Sequence, residues 1–164
     1  MTRHDEQVTR AFEDAREDVY RYLVTLGLPP PQAQEAAQEV FLRLYVALES
    51  GELIENMRAW VFRVAHNLGL DMRNKRQALQ VEPEMERGLR DSARSIEMDL
   101  IERERMVQLA GAWKTLSPQQ RQCLHLRAEG LRYREIAAVM GIGISSVREF
   151  LNRAVSKLQR AVHE

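Results

Sequence analysis

The chain has 164 residues, 45% of them apolar, one cysteine, and equal numbers of Lys plus Arg (24) and Asp plus Glu (24). This composition suits one ordinary packed domain or two small ones and argues against wholesale disorder. No apolar run approaches the ~18 residues of a membrane span, the single Cys123 forbids an intrachain disulfide, and the opening residues lack the apolar core of a signal peptide, so a reducing cytoplasm is the expected setting.

Val8, Phe12, Ala15, Val19, Tyr22, Leu23 and Leu26 recur at helical spacing until Gly27 stops the pattern. After the stiff Leu28–Pro31 turn, a second helix opens near Pro31, where a missing N–H costs nothing. It turns Ala33, Ala36, Ala37, Val40, Phe41, Leu44 and Leu48 inward and breaks at residues 49–52. A third helix, from about Met57 to Gln77, buries Trp60, Val61, Val64, Ala65, Leu68 and Met72. Three helices with short connections predict a compact all-α domain over residues 1–77.

Residues 78–95 are charged and weakly periodic, with Pro83 and Gly88 as breakers, and read as a linker. A second unit is expected over residues 96–164. Its first helix would use Leu100, Ile101, Val107, Leu109, Ala110, Trp113 and Leu116 as apolar positions. Ser117-Pro118-Gln119-Gln120 is a helix start, with Ser as N-cap and Gln at the capping-box position. That helix runs to about Ala128, and Cys123 beside Leu124 reads as a buried structural thiol. Ile136, Ala137 and Met140 then face inward, Gly141 turns the chain, and a helix from about Ile144 buries Val147, Leu151, Ala154, Val155, Leu158 and Val162. Two helices crossing through a tight turn need a small residue at the contact, a tolerant corner and an apolar anchor, which Ala137, Gly141 and Val147 supply. The whole is therefore expected to be all-α, two small helical domains joined by a charged linker, the second containing a helix-turn-helix.

The neutral total conceals an uneven charge distribution. Residues 1–57 hold 5 basic and 11 acidic side chains, residues 58–80 hold 5 and 1, residues 81–112 hold 5 and 8, and residues 113–164 hold 9 and 4. Two basic blocks set among acidic ones predict two anion-facing surfaces. Enzymatic chemistry finds little support. His4, His66, His125 and His163 stand at no metal-ligand spacing, no Gly-rich phosphate loop or nucleophile elbow occurs, and no cofactor or metal is expected.

With both halves laid out, the chain resembles bacterial sigma factors of the small, two-domain extracytoplasmic-function (ECF) type. Ala36-Ala37-Gln38-Glu39-Val40-Phe41-Leu42-Arg43-Leu44-Tyr45 is similar to the region 2 helix that docks on the RNA polymerase clamp. Residues 59–73, Ala-Trp-Val-Phe-Arg-Val-Ala-His-Asn-Leu-Gly-Leu-Asp-Met-Arg, are similar to the helix that melts and reads the −10 element. Leu116-Ser117-Pro118-Gln119-Gln120-Arg121, the helix-turn-helix and Arg153-Ala154 are similar to region 4, which reads the −35 element. The resemblance implies core RNA polymerase and promoter DNA as partners, with an anti-sigma factor as a further candidate, no membrane insertion and no enzyme activity.

On the −10 strand, Arg63, Arg73, Lys75 and Arg76 would meet phosphates while Asn67 and Asp71, one turn apart, would meet base edges. The loop from Glu49 to Met57 would form part of a pocket for an extruded base. Trp60 reads as mostly core, with a melting wedge as the alternative. On the −35 duplex the candidates are Ser145, Ser146, Arg148, Glu149, Asn152, Arg153 and Lys157 on the second helix of the helix-turn-helix, with Arg132 and Arg134 before it. Gly143 replaces the family's usual Ser cap, and Glu149 and Phe150 stand where it commonly has a small polar residue and Arg. A carboxylate there repels phosphates unless it accepts from a cytosine amino group. Glu35, Gln38, Glu39 and Arg43 are the candidate polymerase contacts. A linker counted over residues 78–112 would reach on the order of 100 Å. Two alternatives stay open: a helix-turn-helix regulator acting on duplex DNA without polymerase, and an interaction protein that only docks on polymerase or an anti-sigma factor.

Overall fold

The computed structural model describes residues 2–79 and 99–163. Among these residues there are seven helices and no strand: α1 (Arg3–Thr25), α2 (Pro30–Glu49), α3 (Met57–Leu79), α4 (Leu100–Thr115), α5 (Pro118–Ala128), α6 (Tyr133–Met140) and α7 (Ile144–His163). The starts are chemically specified. Thr2 and Asp5 close a capping box on α1, Asp99 accepts the Glu102 N–H (2.9 Å) on α4, and Ser117 with Gln120 caps α5 reciprocally. Each such cap satisfies backbone N–H groups that have no partner within the helix.

Helices α1, α2 and α3 pack around Val19, Tyr22, Leu23, Val40, Leu44, Val61 and Phe62, all with at most 1% of their surface exposed. Phe12 meets Phe41 edge-on at 5.2 Å between centroids, and Tyr22 meets Phe62 the same way at 5.7 Å. Gly69 lets α3 approach α1: a Cβ there would lie 2.8 Å from methyls of both Leu23 and Leu26. Helices α5, α6 and α7 pack around Cys123, Leu126, Ile136, Val139, Val147 and Leu151. The two sets meet, α6 against α3 and α5 against α1, and their buried residues form one continuous apolar cluster.

Four expectations need correction. Helix α3 extends to Leu79, so positions 78 and 79 are helical rather than linker; the remainder of the expected linker up to residue 95, and the expected start of the second unit at residue 96, lie outside the described residues. Leu100 and Val107 are 70% and 72% exposed, and Ile101 is exposed too, because the first half of α4 runs past the body that its second half, through Ala112, packs on. Their apolar spacing does not mark core. Val155 is likewise exposed, on the rim of a shallow groove between α5, α6 and α7. Because residues 100–115 are helical, the chain joining α3 to α4 spans ~70 Å at most rather than the longer reach.

Candidate nucleic-acid interface

Helix α3 presents different chemistry on its two sides. Val61, Phe62, Ala65, His66 and Gly69 are buried, whereas Arg63, Asn67, Asp71 and Lys75, spaced four apart, form one exposed row. The row combines cations with an amide and a carboxylate, the groups that engage phosphates and base edges. Arg73 stands apart from it. Its Nη1 donates to the Leu26 carbonyl (3.2 Å) and its stem packs over Gly27, so this side chain closes the end of α1. Arg76 is half-buried.

Asn56 starts α3, its Oδ1 accepting the Ala59 N–H at 3.0 Å. In the preceding loop Gly51 takes φ +87°, and Trp60 donates from Nε1 to Glu52 Oε1 at 3.3 Å while its ring packs partly against the core. Trp60 is therefore anchored to this loop at one edge and to the core at the other.

The second platform is the turn expected from the sequence. Gly141 ends α6 in the left-handed region (φ 67°, ψ 35°), and the Ile142 N–H returns to the Ala137 carbonyl at 3.1 Å. Gly143 stands before α7, its carbonyl accepting the Val147 N–H at 3.1 Å. Val147, Leu151 and Ala154 face inward, leaving Ser145, Arg148, Glu149, Asn152 and Arg153 exposed and Ser146 half-buried. Arg132 and Arg134 are exposed at the start of α6. Glu149 pairs with Arg153 at 2.6 Å, so its charge is neutralised on its own helix. Lys157 is turned away from this row, donating to Gln120 Oε1 (3.0 Å) and the Thr115 carbonyl (3.3 Å).

On α2, Glu35, Gln38 and Arg43 are exposed and Glu39 is half-buried, accepting from Arg43 Nε at 3.2 Å. Beside them Leu42 and Val46 are 61% and 64% exposed, with Tyr45 partly exposed. None of the three belongs to the inward set of α2. These three exposed apolar side chains lie within a charged rim on one helix.

The burial of Cys123 and Tyr22 follows the sequence expectation, whereas that of His66 and His125 does not. Tyr22 Oη lies 2.7 Å from His66 Nδ1 in the core between α1 and α3. Burial, aided by Arg73, pushes the His66 pKa down to about 4, so the ring is neutral. Across the seam between α1 and α5, burial likewise brings His125 down to about 4. Cys123 sits 3.3 Å from the Met140 sulfur, and burial pushes its thiol up to about 11, far from a reactive thiolate. No group of three or more His, Cys, Asp or Glu among the described residues is placed to hold a metal ion.

Comparison with known proteins agrees with this geometry. Two family models match in chain order: Sigma-70 region 2 over residues 11–79 and Sigma-70, region 4 over residues 107–158. The chain belongs to the sigma-70 family of RNA polymerase sigma factors, with relatives of the ECF type. It is 29% identical over 154 residues to the ECF sigma factor BldN of Streptomyces coelicolor, covering 92% of this chain and 58% of BldN. Identity is 28% with SigE of Mycolicibacterium smegmatis (86% of this chain, 56% of SigE) and 26% with SigM of Bacillus subtilis (87% of this chain, 86% of SigM). The chain thus spans little more than half the length of the first two. Its fold is that of the sigma factor RpoE of Bartonella quintana, solved with the anti-sigma factor NepR, at a TM-score of 0.73 and 21% identity over 96% of this chain and 98% of that one. No helix among the described residues is long and apolar enough to cross a membrane.

Proposed function

We propose that this chain binds core RNA polymerase, directs it to specific promoters and helps hold the −10 strand open, acting in the bacterial cytoplasm by binding alone. The observation that carries the reading is the pair of exposed polar rows, Arg63–Asn67–Asp71–Lys75 on α3 and Ser145–Arg148–Glu149–Asn152–Arg153 on α7, each backed by its own buried apolar face. The α3 row would take the unwound strand and the α7 row the −35 duplex, with Arg132 and Arg134 on flanking phosphates. Arg76 would assist the first row. Arg73 and Lys157, engaged within the fold, contribute less. Helix α2, with Glu35, Gln38, Glu39 and Arg43 around Leu42 and Val46, would dock on polymerase, its apolar centre supplying affinity and its charged rim orientation. On this reading residues 1–77 and 96–164 are the two functional units, and an anti-sigma factor is a further partner.

The test is reconstituted transcription. Core enzyme with this chain initiates at a cognate promoter; duplex binding without initiation would favour a free-standing regulator, and polymerase binding without initiation a docking protein. Arg148→Ala weakens −35 binding, while Asn67→Ala impairs opening more than closed-complex formation. Equal effects of the two on duplex affinity would contradict the division of labour.

A further inference from the structure

The ion pairs of the molecule differ in where they lie. Arg58 of α3 bridges three helices inside the fold, its Nη2 reaching Asp18 of α1 (2.9 Å) and Glu129 at the end of α5 (2.6 Å). The Glu149–Arg153 pair is of another kind. Both side chains are more than half exposed (61% and 63%), one turn apart on the row that α7 turns outward with Ser145, Arg148 and Asn152. Arg153 Nη2 sits 2.6 Å from Glu149 Oε1, and Glu149 Oε2 takes no hydrogen bond among the described residues. Arg148 is exposed beside it and joins no ion pair among the described residues, whereas Phe150 is half-buried against the core and adds nothing to the row. One carboxylate oxygen is therefore held in place and the other is left facing outward.

A carboxylate in that position is costly at a duplex unless the groove answers it. It only accepts, so phosphates and the major-groove acceptors of guanine, adenine and thymine repel it. Carried into the groove without a donor, it loses its water and gains no partner. Cytosine is the base whose groove edge offers a donor, the N4 amino group, and no acceptor of its own; adenine sets N7 beside its amino group. Glu149 is the sixth residue of α7, within the opening turns that a helix-turn-helix sends to base edges. We propose that Glu149 Oε2 reads the N4 amino group of one cytosine in the duplex bound by α7, with Arg153 as the positioning residue that holds Oε1. That this duplex is the −35 element rests on the initiation reading above; the base assignment needs only that α7 enters a duplex groove. Arg153 also neutralises the pair, so the carboxylate approaches the phosphates at little Coulomb cost. Selectivity then has two sources: cytosine satisfies the free oxygen, and every other base leaves it facing an acceptor or a methyl.

The test is selection from a pool of duplexes randomised over about twelve base pairs, with the full chain assembled on core polymerase and, in parallel, the full chain alone. Wild type is expected to favour cytosine at one position by roughly tenfold, within the range a good base contact supplies. Glu149→Ala loses that preference, keeps the preferences at other positions, and binds duplexes lacking the cytosine more tightly than wild type does. Glu149→Gln moves the position toward adenine, whose N6 and N7 an amide matches. Arg153→Ala weakens the cytosine preference and Arg153→Lys restores most of it; an ion pair that only supports the helix would move no base preference. Both residues are exposed, so these variants leave the core intact. On the selected duplex, N4-methylcytosine keeps the Watson–Crick hydrogen and blocks the groove-facing one. It should lower wild-type affinity by the same roughly tenfold and leave Glu149→Ala unaffected. A preference that survives Glu149→Ala, or equal wild-type binding of cytosine and N4-methylcytosine, overturns the assignment while leaving initiation untouched. Selection as expected with no initiation by any form would sink the initiation reading and not the cytosine contact, and failure of both forms to select any duplex overturns both.

Discussion

Two glycines in open space should respond to the same substitution with opposite signs. Neither Gly111, in the exposed middle of α4, nor Gly141, at the end of α6, has any atom within 4 Å of the position a Cβ would occupy. Packing therefore drops out of the comparison and only the backbone remains. At Gly111 the backbone is helical, so Gly111→Ala gains the propensity difference and stabilises by ~0.8–1.0 kcal/mol. At Gly141 φ is +67°, a region where a Cβ crowds the following carbonyl, and Gly141→Ala costs ~1–2 kcal/mol. Gly141→Asn should fall between, since Asn tolerates this region better. The assay is urea unfolding at 25 °C followed by circular dichroism. With a slope near ~1–3 kcal/mol/M, a difference of about 2–3 kcal/mol between the two alanine variants separates their midpoints by roughly 1 M or more. Shifts of the same sign in both variants would refute the assignment of the turn. Gly69→Ala is a third case, where the propensity gain opposes a 2.8 Å encounter with Leu23 and Leu26 methyls in the core, and the overpacking cost of ~1–3 kcal/mol should win.

Acid should loosen the molecule before any carboxylate of ordinary pKa is titrated. His66, facing Tyr22 and Arg73, and His125, facing Arg21, Asp18, Tyr22, Thr25 and Glu129, are both held near 4 against an ordinary 6.5. Unfolded chains bind the extra protons, so stability falls as pH drops through this window, by about 2 kcal/mol per histidine at pH 5. Glu129, raised by burial and Asp18, takes up a proton more readily in the folded state and offsets part of that loss. Equal urea midpoints at pH 7.5 and pH 5 would refute the burial of both rings. Glu149→Ala frees Arg153 from its 2.6 Å pair and should steepen the salt dependence of duplex binding by about one unit of slope; an unchanged slope means Arg153 meets no phosphate. Ser117→Ala removes the acceptor of the Gln120 N–H (3.1 Å) and should cost ~1 kcal/mol, read as a lower melting temperature.

What was legible in the sequence was local. The capping box at Ser117 and Gln120, the corner at Gly141 and the apolar spacing of α1, α2 and α3 are set by residues a few positions apart, and the structure has each of them. The apolar positions of α4 misled because periodicity tells which side chains share a face, not whether anything covers that face. Arg73 and Lys157 read as DNA-contacting cations in the sequence, yet their long stems let the charge fold back onto the Leu26 and Thr115 carbonyls. The seam was invisible for a different reason. Arg58 and Glu129 stand 71 positions apart, and no local pattern distinguishes a cation that bridges three helices from one that waits for a phosphate.

Because α3 buries Val61, Phe62, Ala65 and Gly69 on one side and exposes Arg63, Asn67, Asp71 and Lys75 on the other, packing and the proposed recognition can change independently. On the proposed reading, replacing Asn67 or Asp71 would alter what the outer side recognises without disturbing the buried Phe62 or Ala65. A library randomised only at those outer positions should stay folded throughout while its members diverge in preferred start sites, which makes this helix a natural place to build mutually insulated transcription programmes.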